Sequence, residues 1–273
     1  MTTTQTALPM ASRAVGQGQA DTFGKCAGVT ARYAGNFSAV GNKLMHWPLE
    51  NDAFDPNLRQ LFLKNATRNV YTNNGVIYLQ EDRADKLYIV LSGYVRLSYI
   101  MEDGSTILYA IVPPGQSFGE LGVYDWSVYM DSATAIGDVS VFSVRAEVFH
   151  SDISGNSSPK DALSTLIVDR YKTFIDVTRC LHLSNLPARL AASLLRLVES
   201  LGQTTDYRGR NCPSLGAMVT QSDLGAMARG TRGNVNRVLR KWILDGLVAI
   251  EDRKIILLDP DGLELTALNV GDN

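Results

Sequence analysis

Short runs of β-branched and aromatic residues recur along the middle of the chain, between about residues 69 and 149. Turn-forming stretches rich in Gly, Pro, Asn or Asp separate them, among them Ser92-Gly93. In residues 95–99 apolar and polar side chains alternate, as on a strand with one buried face. Closely spaced short strands of this kind predict an antiparallel β-roll or jelly roll. The predicted strands cover residues 76–79, 87–91, 94–100, 107–112 and 139–144.

After the turn-rich stretch 151–159 the apolar residues fall three or four apart, which predicts a long helix. Ile167, Phe174 and Leu181 are seven residues apart and form one seam along it. We expect this seam to pair with the same helix of a second subunit; the alternative is a helix packed on its own barrel. A break is predicted at Pro187. Beyond it, the pattern predicts an amphipathic helix over residues 188–201 and a polar loop over residues 203–215.

The strongest local signal is a pair of short helices after residue 219. Thr220 and Thr231 are good N-cap residues, and Asp223 can return a hydrogen bond to the first turn. Gly230 is expected to supply a left-handed C-cap to the first helix. Two helices joined by a short turn with Gly predict a helix-turn-helix that presents its second helix to a major groove. That helix has an apolar stripe of Val235, Val238, Leu239 and Trp242.

Positive charge is concentrated on this unit, since residues 219–241 contain five basic residues and one acidic residue. Such a surface can neutralise phosphates, which supplies most non-specific DNA affinity; the alternative is an ordinary solvated basic face. Two short apolar strands over residues 247–250 and 255–258 predict a β-wing. The predicted DNA contacts are Thr220, Gln221, Thr231, Arg232, Gly233, Asn236, Arg237 and Arg240.

Composition and charge narrow the class of protein. The 273 residues include 26 Lys and Arg and 28 Asp and Glu, a net charge of −2, which excludes a chain-wide basic coat. Three widely spaced cysteines, Cys26, Cys180 and Cys212, argue against a disulfide-stapled secreted fold. No apolar run approaches the roughly 18 residues of a membrane span, and the N-terminus lacks a signal-peptide core. We expect a cytoplasmic protein without a membrane partner.

These patterns together predict an α+β chain with an N-terminal β-roll, a long dimerisation helix and a C-terminal winged helix-turn-helix. We expect a disordered extension over residues 1–42 and a sensor roll over residues 43–159. The dimerisation helix is predicted over residues 160–185, the winged helix-turn-helix over residues 186–262 and a C-terminal tail over residues 263–273.

Residues 231–239, TRGNVNRVL, resemble the recognition-helix pattern S/T-R-x-x-V-x-R-x-L of the Crp/Fnr superfamily of bacterial transcription regulators. The resemblance covers about residues 60–262 and implies a homodimer with a cyclic-nucleotide-binding-type roll and a C-terminal winged helix. It implies that Arg232 and Arg237 contact double-stranded DNA, and that RNA polymerase is a further partner. In the family an acidic residue that reads cytosine often follows the first arginine; here Gly233 stands in its place.

Residues 114–122, PGQSFGELG, resemble the phosphate-binding cassette of that family. In members that bind a nucleotide, an arginine about ten residues later neutralises the cyclic phosphate; here the place falls on Asp131, or on Met130. Ordinary cAMP binding is therefore not expected. The alternatives are another small ligand, such as a cyclic dinucleotide, or a roll that binds none. The candidate effector pocket comprises Gly119, Glu120, Leu121, Asp131, Ser132 and Phe174.

The sequence offers little for a metal site or an enzyme. Cys26 is the only cysteine in the N-terminal region where iron–sulfur members of the family cluster theirs. Cys180 and His182 are 200° apart on a helix and cannot grip one ion. Residues 76–144 contain no His, which argues against a metal-dependent barrel enzyme. Besides a regulator whose DNA affinity is modulated through the roll and the dimer helix, one alternative remains: a regulatory module that gates a protein partner without binding DNA.

Overall fold

The computed structural model describes residues 56–125, 127–150 and 159–268. The predicted extension over residues 1–42 lies outside them, as do Cys26 and His46. The first described element is helix α1 (Pro56–Asn65), which buries Leu58 and Phe62 completely. This helix covers one side of the sheet that follows, and its buried residues share a core cluster with strand residues Leu87 and Val144.

Antiparallel strands after α1 form the predicted roll. They are β1 (Thr67–Tyr71), β2 (Val76–Tyr78), β3 (Lys86–Ile100), β4 (Thr106–Val112), β5 (Ser117–Phe118) and β6 (Ser132–Arg145). The order is β1-β6-β3-β4; β2 also pairs with β6, and β5 with β3. Two short helices, α2 (Glu120–Asp125) and α3 (Glu147–His150), precede and follow β6. The predicted antiparallel roll and the α+β class are confirmed.

Strand β3 is continuous, whereas two strands separated by a turn at Ser92-Gly93 were predicted. The prediction of a turn there is wrong. Gly93 has a φ of +79°, and a Cβ there would lie 2.5 Å from the carbonyl oxygen of Asp138. The pairing of β3 with β6 shifts register around Ser92. Ser92 and Gly93 therefore form a bulge inside one long strand, because β6 pairs with the residues of β3 on both sides of them.

Aromatic side chains fill the interior of the roll. The rings of Tyr78 and Tyr129 stack with centroids 3.7 Å apart, and those of Tyr88 and Phe118 stack at 5.0 Å. All four residues are buried. Rings of this size exclude a large area of apolar surface from water, which stabilises the roll and leaves its centre occupied by the protein's own side chains.

The long helix α4 (Pro159–Leu181) leaves the roll and divides its apolar residues between two faces. Leu163 and Val177 are buried, while Ile167 and Leu181 are partly buried against core clusters of the same chain. The apolar residues left exposed are Val168, Tyr171 and Phe174, with exposures of 52%, 63% and 50%. Of the predicted seam, only Phe174 therefore lies on the outer face. In the described residues, no helix is long and apolar enough to cross a bilayer.

The C-terminal part begins with helix α5 (Leu186–Leu201), capped by Asn185 and ended by Gly202 at a φ of +61°. Three further helices and a second sheet follow. They are β7 (Thr204–Tyr207), β8 (Arg210–Leu215), α6 (Gln221–Ala228), α7 (Arg232–Leu244), β9 (Val248–Glu251), β10 (Lys254–Leu257) and α8 (Pro260–Leu268). The sheet has the order β7-β8-β10-β9, with neighbours antiparallel.

Two predictions in this part are wrong. Residues 203–215 were expected to be a polar loop but form the hairpin β7–β8, because β8 pairs with β10 and buries Cys212 and Leu215. Residues 263–273 were expected to be a tail, but α8 extends to residue 268. Its Leu263 is fully buried in the core cluster that includes Leu197 of α5, and the Asp259 carboxylate accepts a hydrogen bond from the Gly262 N–H.

Candidate nucleic-acid interface

Helix α6 begins with the reciprocal cap that the sequence predicts. The Thr220 hydroxyl accepts a hydrogen bond from the Asp223 N–H at 3.1 Å, and the Asp223 carboxylate accepts one from the Thr220 N–H at 2.8 Å. These bonds satisfy N–H groups that the first turn of a helix leaves without partners. The Asp223 side chain of this cap is buried.

The turn between α6 and α7 differs from the prediction in one respect. Arg229, rather than Gly230, adopts the left-handed conformation, with a φ of +49°. Gly230 has a different role, because a Cβ there would lie 2.6 Å from a methyl carbon of Leu186. A Cβ on Gly225 would lie 2.6 Å from the carbonyl oxygen of Gly230. The two glycines thus let the turn pack closely against α5 on one side and α6 on the other.

Helix α7 presents one apolar and one basic face. Thr231 caps it, accepting a hydrogen bond from the Asn234 N–H at 3.3 Å. Val235, Leu239 and Trp242 are buried against the domain core. The outward residues are exposed, except for Asn236, which is half-buried: Arg232, Gly233, Asn234, Asn236, Arg237, Arg240 and Lys241.

Two details of α7 affect which bases its side chains could recognise. The Arg237 guanidinium donates a hydrogen bond to the side-chain oxygen of Asn234 at 3.3 Å, which restrains the arginine on the surface. Gly233 is the second residue of the helix, and no atom lies within 4 Å of where its Cβ would be. No neighbour in the described structure thus requires a glycine there. Thr220 is exposed and Gln221 half-buried at the start of α6.

The wing stands beside this helix. Strand β9 pairs with β10 from Val248 opposite Leu257 to Glu251 opposite Lys254. Asp252 and Arg253 form the tip, with φ values of +49° and +62°. The Trp242 carbonyl accepts a hydrogen bond from the Leu247 N–H at 2.9 Å, which ties the end of α7 to the start of the wing.

The candidate effector pocket is held by an ion pair inside the chain. The Arg170 Nε of helix α4 donates to a Glu120 carboxylate oxygen at 2.6 Å, and a second guanidinium nitrogen donates to the Ser117 carbonyl at 2.7 Å. Glu120 is almost fully buried. Burial acts to lower the pKa of the Arg170 guanidinium, but the charge and hydrogen bond of Glu120 oppose it and the pKa is raised overall. The pair therefore joins the long helix to the roll.

Asp131, which with Met130 is one of the two residues predicted at the place of the family's phosphate-binding arginine, is buried. Its two carboxylate oxygens accept hydrogen bonds from the hydroxyls of Tyr78, at 3.0 Å, and Tyr109. Burial raises the pKa of the Asp131 carboxyl, and the two tyrosine hydrogen bonds oppose that shift. The group is thus satisfied within the protein and offers no positive charge to a phosphate.

The other predicted pocket residues have contacts of different kinds. Gly119 has a φ of +86°, and a Cβ there would lie 3.1 Å from the Tyr129 ring. The buried Ser132 hydroxyl accepts a hydrogen bond from the Gln80 N–H at 2.9 Å. Leu121 is 40% exposed, and it lines an apolar groove between α2 and α4 with Tyr124, Met130, Ile167 and Val168. Phe174 stands exposed on the outer face of α4.

Sequence reasoning missed the tyrosines that bind Asp131 and the partner of Arg96, described below. Each of these contacts joins residues that are far apart in the chain, and no local spacing signals them. Over the described ranges, no three His, Cys, Asp or Glu side chains form a group that could hold a metal ion. His182 contacts the Thr178 carbonyl at 2.8 Å.

Comparison with known proteins agrees with this architecture. The cyclic nucleotide-binding domain model matches residues 68–154, and the Crp-like helix-turn-helix domain model matches residues 188–266. The CRP-like cAMP-activated global transcriptional regulator of Mycobacterium tuberculosis is 25% identical, over 68% of this chain and 82% of that protein. The cyclic AMP receptor protein of Thermus thermophilus is 27% identical, over 73% of this chain and 89% of that protein.

Solved structures show the same fold. FixK2 from Bradyrhizobium japonicum superposes with a TM-score of 0.63 at 23% identity, covering 74% of this chain and 96% of its own. A CRP/FNR-family regulator from Thermus thermophilus gives a TM-score of 0.57 at 26% identity, covering 75% of this chain and all of its own. With a cyclic-nucleotide-binding-type roll and a Crp-like helix-turn-helix in this order, the chain belongs to the Crp/Fnr superfamily of DNA-binding transcription regulators.

Proposed function

We propose that this protein binds double-stranded DNA in a sequence-specific manner as a homodimer in the bacterial cytoplasm, and that it regulates transcription rather than catalysing a reaction. The observation that carries the proposal is helix α7, which is capped, buried on one side and basic on the other. The family resemblance adds RNA polymerase as a further partner.

The chemistry of α7 suits groove recognition. Arg232 and Arg237 are exposed and near its start, the part of a recognition helix that contacts base edges. An arginine can donate two hydrogen bonds to the O6 and N7 atoms of guanine, and Asn236 can pair in a similar way with adenine. Arg240 and Lys241 lie further along the exposed face, where a positive charge meets phosphates. Gly233 offers no carboxylate to accept a hydrogen bond from cytosine.

The outer face of α4 supports a homodimer. Val168, Tyr171 and Phe174 are each at least half exposed, and the apolar groove between α2 and α4 adjoins them. A second copy of the helix would cover this apolar surface, which otherwise costs free energy in water. Two recognition helices then read half-sites about 34 Å apart on one face of the duplex.

The roll is proposed to work without cAMP bound in the ordinary manner. The names of two relatives state that they respond to cAMP. In this chain Asp131 replaces the arginine that the phosphate requires, and Tyr78 and Tyr109 already satisfy it. Arg170 is engaged by Glu120 and Ser117. Any modulation of DNA affinity through the roll and α4 therefore uses another ligand, such as a cyclic dinucleotide, or no ligand.

The test of DNA binding is a mobility-shift measurement on duplexes that the wild-type protein selects from a random-sequence pool. We expect Arg232→Ala and Arg237→Ala each to lose about 1–3 kcal/mol of specific binding, the value of a bidentate base contact. Arg145→Ala is the matched control, because it removes an exposed arginine from the end of β6 in the roll. Equal binding by all four proteins would show that α7 is not the recognition helix.

A wild-type protein that selects no sequence and shows no salt-dependent DNA affinity would favour the other function, a module that gates a protein partner. Phosphate neutralisation makes DNA affinity fall steeply with salt, so the salt series separates the two functions.

A further inference from the structure

A bidentate ion pair joins the roll to the helix-turn-helix. The Arg96 Nε on β3 donates to one Asp223 carboxylate oxygen at 2.7 Å, and a second guanidinium nitrogen donates to the other oxygen at 3.2 Å. The two side chains are only 18% and 9% exposed. Two parallel hydrogen bonds between an arginine and a carboxylate fix the relative orientation of the two groups as well as their distance. Because the pair is largely buried, water screens it little.

The acceptor of this ion pair is the group that starts helix α6. One Asp223 oxygen, 3.2 Å from Arg96, also accepts hydrogen bonds from the N–H and the hydroxyl of Thr220, each at 2.8 Å. Arg96 therefore holds the first turn of α6 by its cap and not by a flexible surface side chain. Because α6 packs on α7, fixing α6 also fixes the recognition helix.

Other contacts hold the same two parts of the chain together. The Gln203 amide donates to the Tyr94 hydroxyl at 2.6 Å, and its oxygen accepts from the Gly216 N–H at 2.8 Å. One core cluster contains residues of both parts; those of the roll are Leu108, Ile111 and Ile136, and those of α6 include Leu224 and Met227. The roll and the helix-turn-helix thus share an apolar contact. At one end of it, the ion pair of Arg96 restricts their relative orientation.

We infer that Arg96, a residue of the sensor roll, is a positioning residue for DNA binding, because its pairing with Asp223 sets the orientation of the recognition helix. The inference rests on the proposed function as a dimer that reads two half-sites. Arg96 lies 127 residues before Asp223 in the chain and belongs to no local motif, so its role is inferred from this contact.

The role predicts a specific pattern of binding. Each helix α7 keeps its own side chains when Arg96 is lost, so the affinity for a single half-site stays the same. Binding to two half-sites requires both helices to be in place together, and a less fixed second helix lowers the effective concentration at its half-site. The loss therefore falls on duplexes with two half-sites.

The experiment compares two duplexes with the full-length protein. One carries both half-sites selected by the wild type, and in the other one half-site is scrambled. For Arg96→Ala we expect about tenfold weaker binding to the first duplex and a change within about twofold on the second. Arg96→Lys keeps the charge and should recover part of the loss. Asp223→Asn keeps an acceptor for the cap and should reproduce the pattern.

Arg68→Ala is the matched control, since Arg68 also lies on the roll but donates to Ser140 within it. Unchanged or tighter binding of Arg96→Ala to the two-site duplex would overturn the inference, and so would an equal loss on both duplexes, which indicates general loss of folding. Absence of specific binding by the wild type would overturn the proposed function and this inference together. Specific wild-type binding with an unaffected Arg96→Ala would overturn the inference alone.

Discussion

One residue, Asp131, bears directly on whether the roll can bind a cyclic nucleotide. The sequence predicts Asp131 or Met130 at the place where the family's nucleotide-binding members have an arginine, and neither offers a phosphate a positive charge. The structure adds the reason why an aspartate is tolerated in the interior, which is that Tyr78 and Tyr109 donate hydrogen bonds to it. Those tyrosines could not be predicted, because they lie 53 and 22 residues away along the chain.

This residue leads to a prediction about cAMP. A ligand that binds only the folded state stabilises it by about 2.7 kcal/mol at a hundredfold excess over Kd. Because Asp131 repels a phosphate and the tyrosines fill the space around it, we expect no change in melting temperature at millimolar cAMP. Thermal unfolding monitored by fluorescence checks this, with a cyclic dinucleotide tested in parallel. A saturable rise in melting temperature with cAMP would contradict the assignment of Asp131.

At the element scale, the helix-turn-helix could be predicted from the sequence, and the hairpin β7–β8 could not. The signals for α6 and α7 lie within a few residues of each other: two threonine caps, Asp223 and an apolar stripe at helical spacing. The residues of the hairpin were predicted to form a polar loop, because these strands are stabilised by the pairing of β8 with β10, which lies about forty residues further along the chain. Helix α8 was missed for a similar reason, since its Leu263 is buried in a core formed with α5.

Two glycines of this unit should respond in opposite ways to alanine. At Gly225 a Cβ would lie 2.6 Å from the Gly230 carbonyl oxygen, so Gly225→Ala forces the turn apart. We expect it to lower the free energy of unfolding by about 1–3 kcal/mol. At Gly233 the space is open and the residue is helical, so Gly233→Ala should raise that free energy by up to about 1 kcal/mol.

Urea unfolding of the full-length protein, followed by circular dichroism, measures both variants, and each serves as the control for the other. A stable Gly225→Ala protein would show that the turn can relax, and a destabilised Gly233→Ala protein would show that the first turn of α7 needs a glycine for its own folding.

For the molecule as a whole, the order of roll, long helix and winged helix could be predicted, because each part has its own hydrophobic period. It could not show which face of α4 is free. The spacing of seven residues predicts a seam of Ile167, Phe174 and Leu181. In the structure, however, Ile167 and Leu181 are partly buried against core clusters of the same chain. The exposed apolar residues, Val168, Tyr171 and Phe174, therefore define the face proposed for the second subunit.

A charge placed on that face should separate the subunits. Phe174 is 50% exposed, so Phe174→Asp should fold, yet it would bury an unpaired carboxylate in a dimer, which costs several kcal/mol. We expect analytical ultracentrifugation to show a shift from dimer to monomer, with weaker binding to two-site operators. Leu265→Asp on α8 is the control, because Leu265 is 62% exposed on another helix. A Phe174→Asp protein that remains as dimeric as this control would remove α4 from the interface.

The cap of α6 has a consequence for how the protein loses structure. One carboxylate both starts that helix and receives Arg96, so the hydrogen bonds that begin α6 and those that dock the roll at this point share a single acceptor group. Fluctuations of the two parts are then coupled, and this edge of the helix-turn-helix opens together with the β3 contact as one cooperative unit.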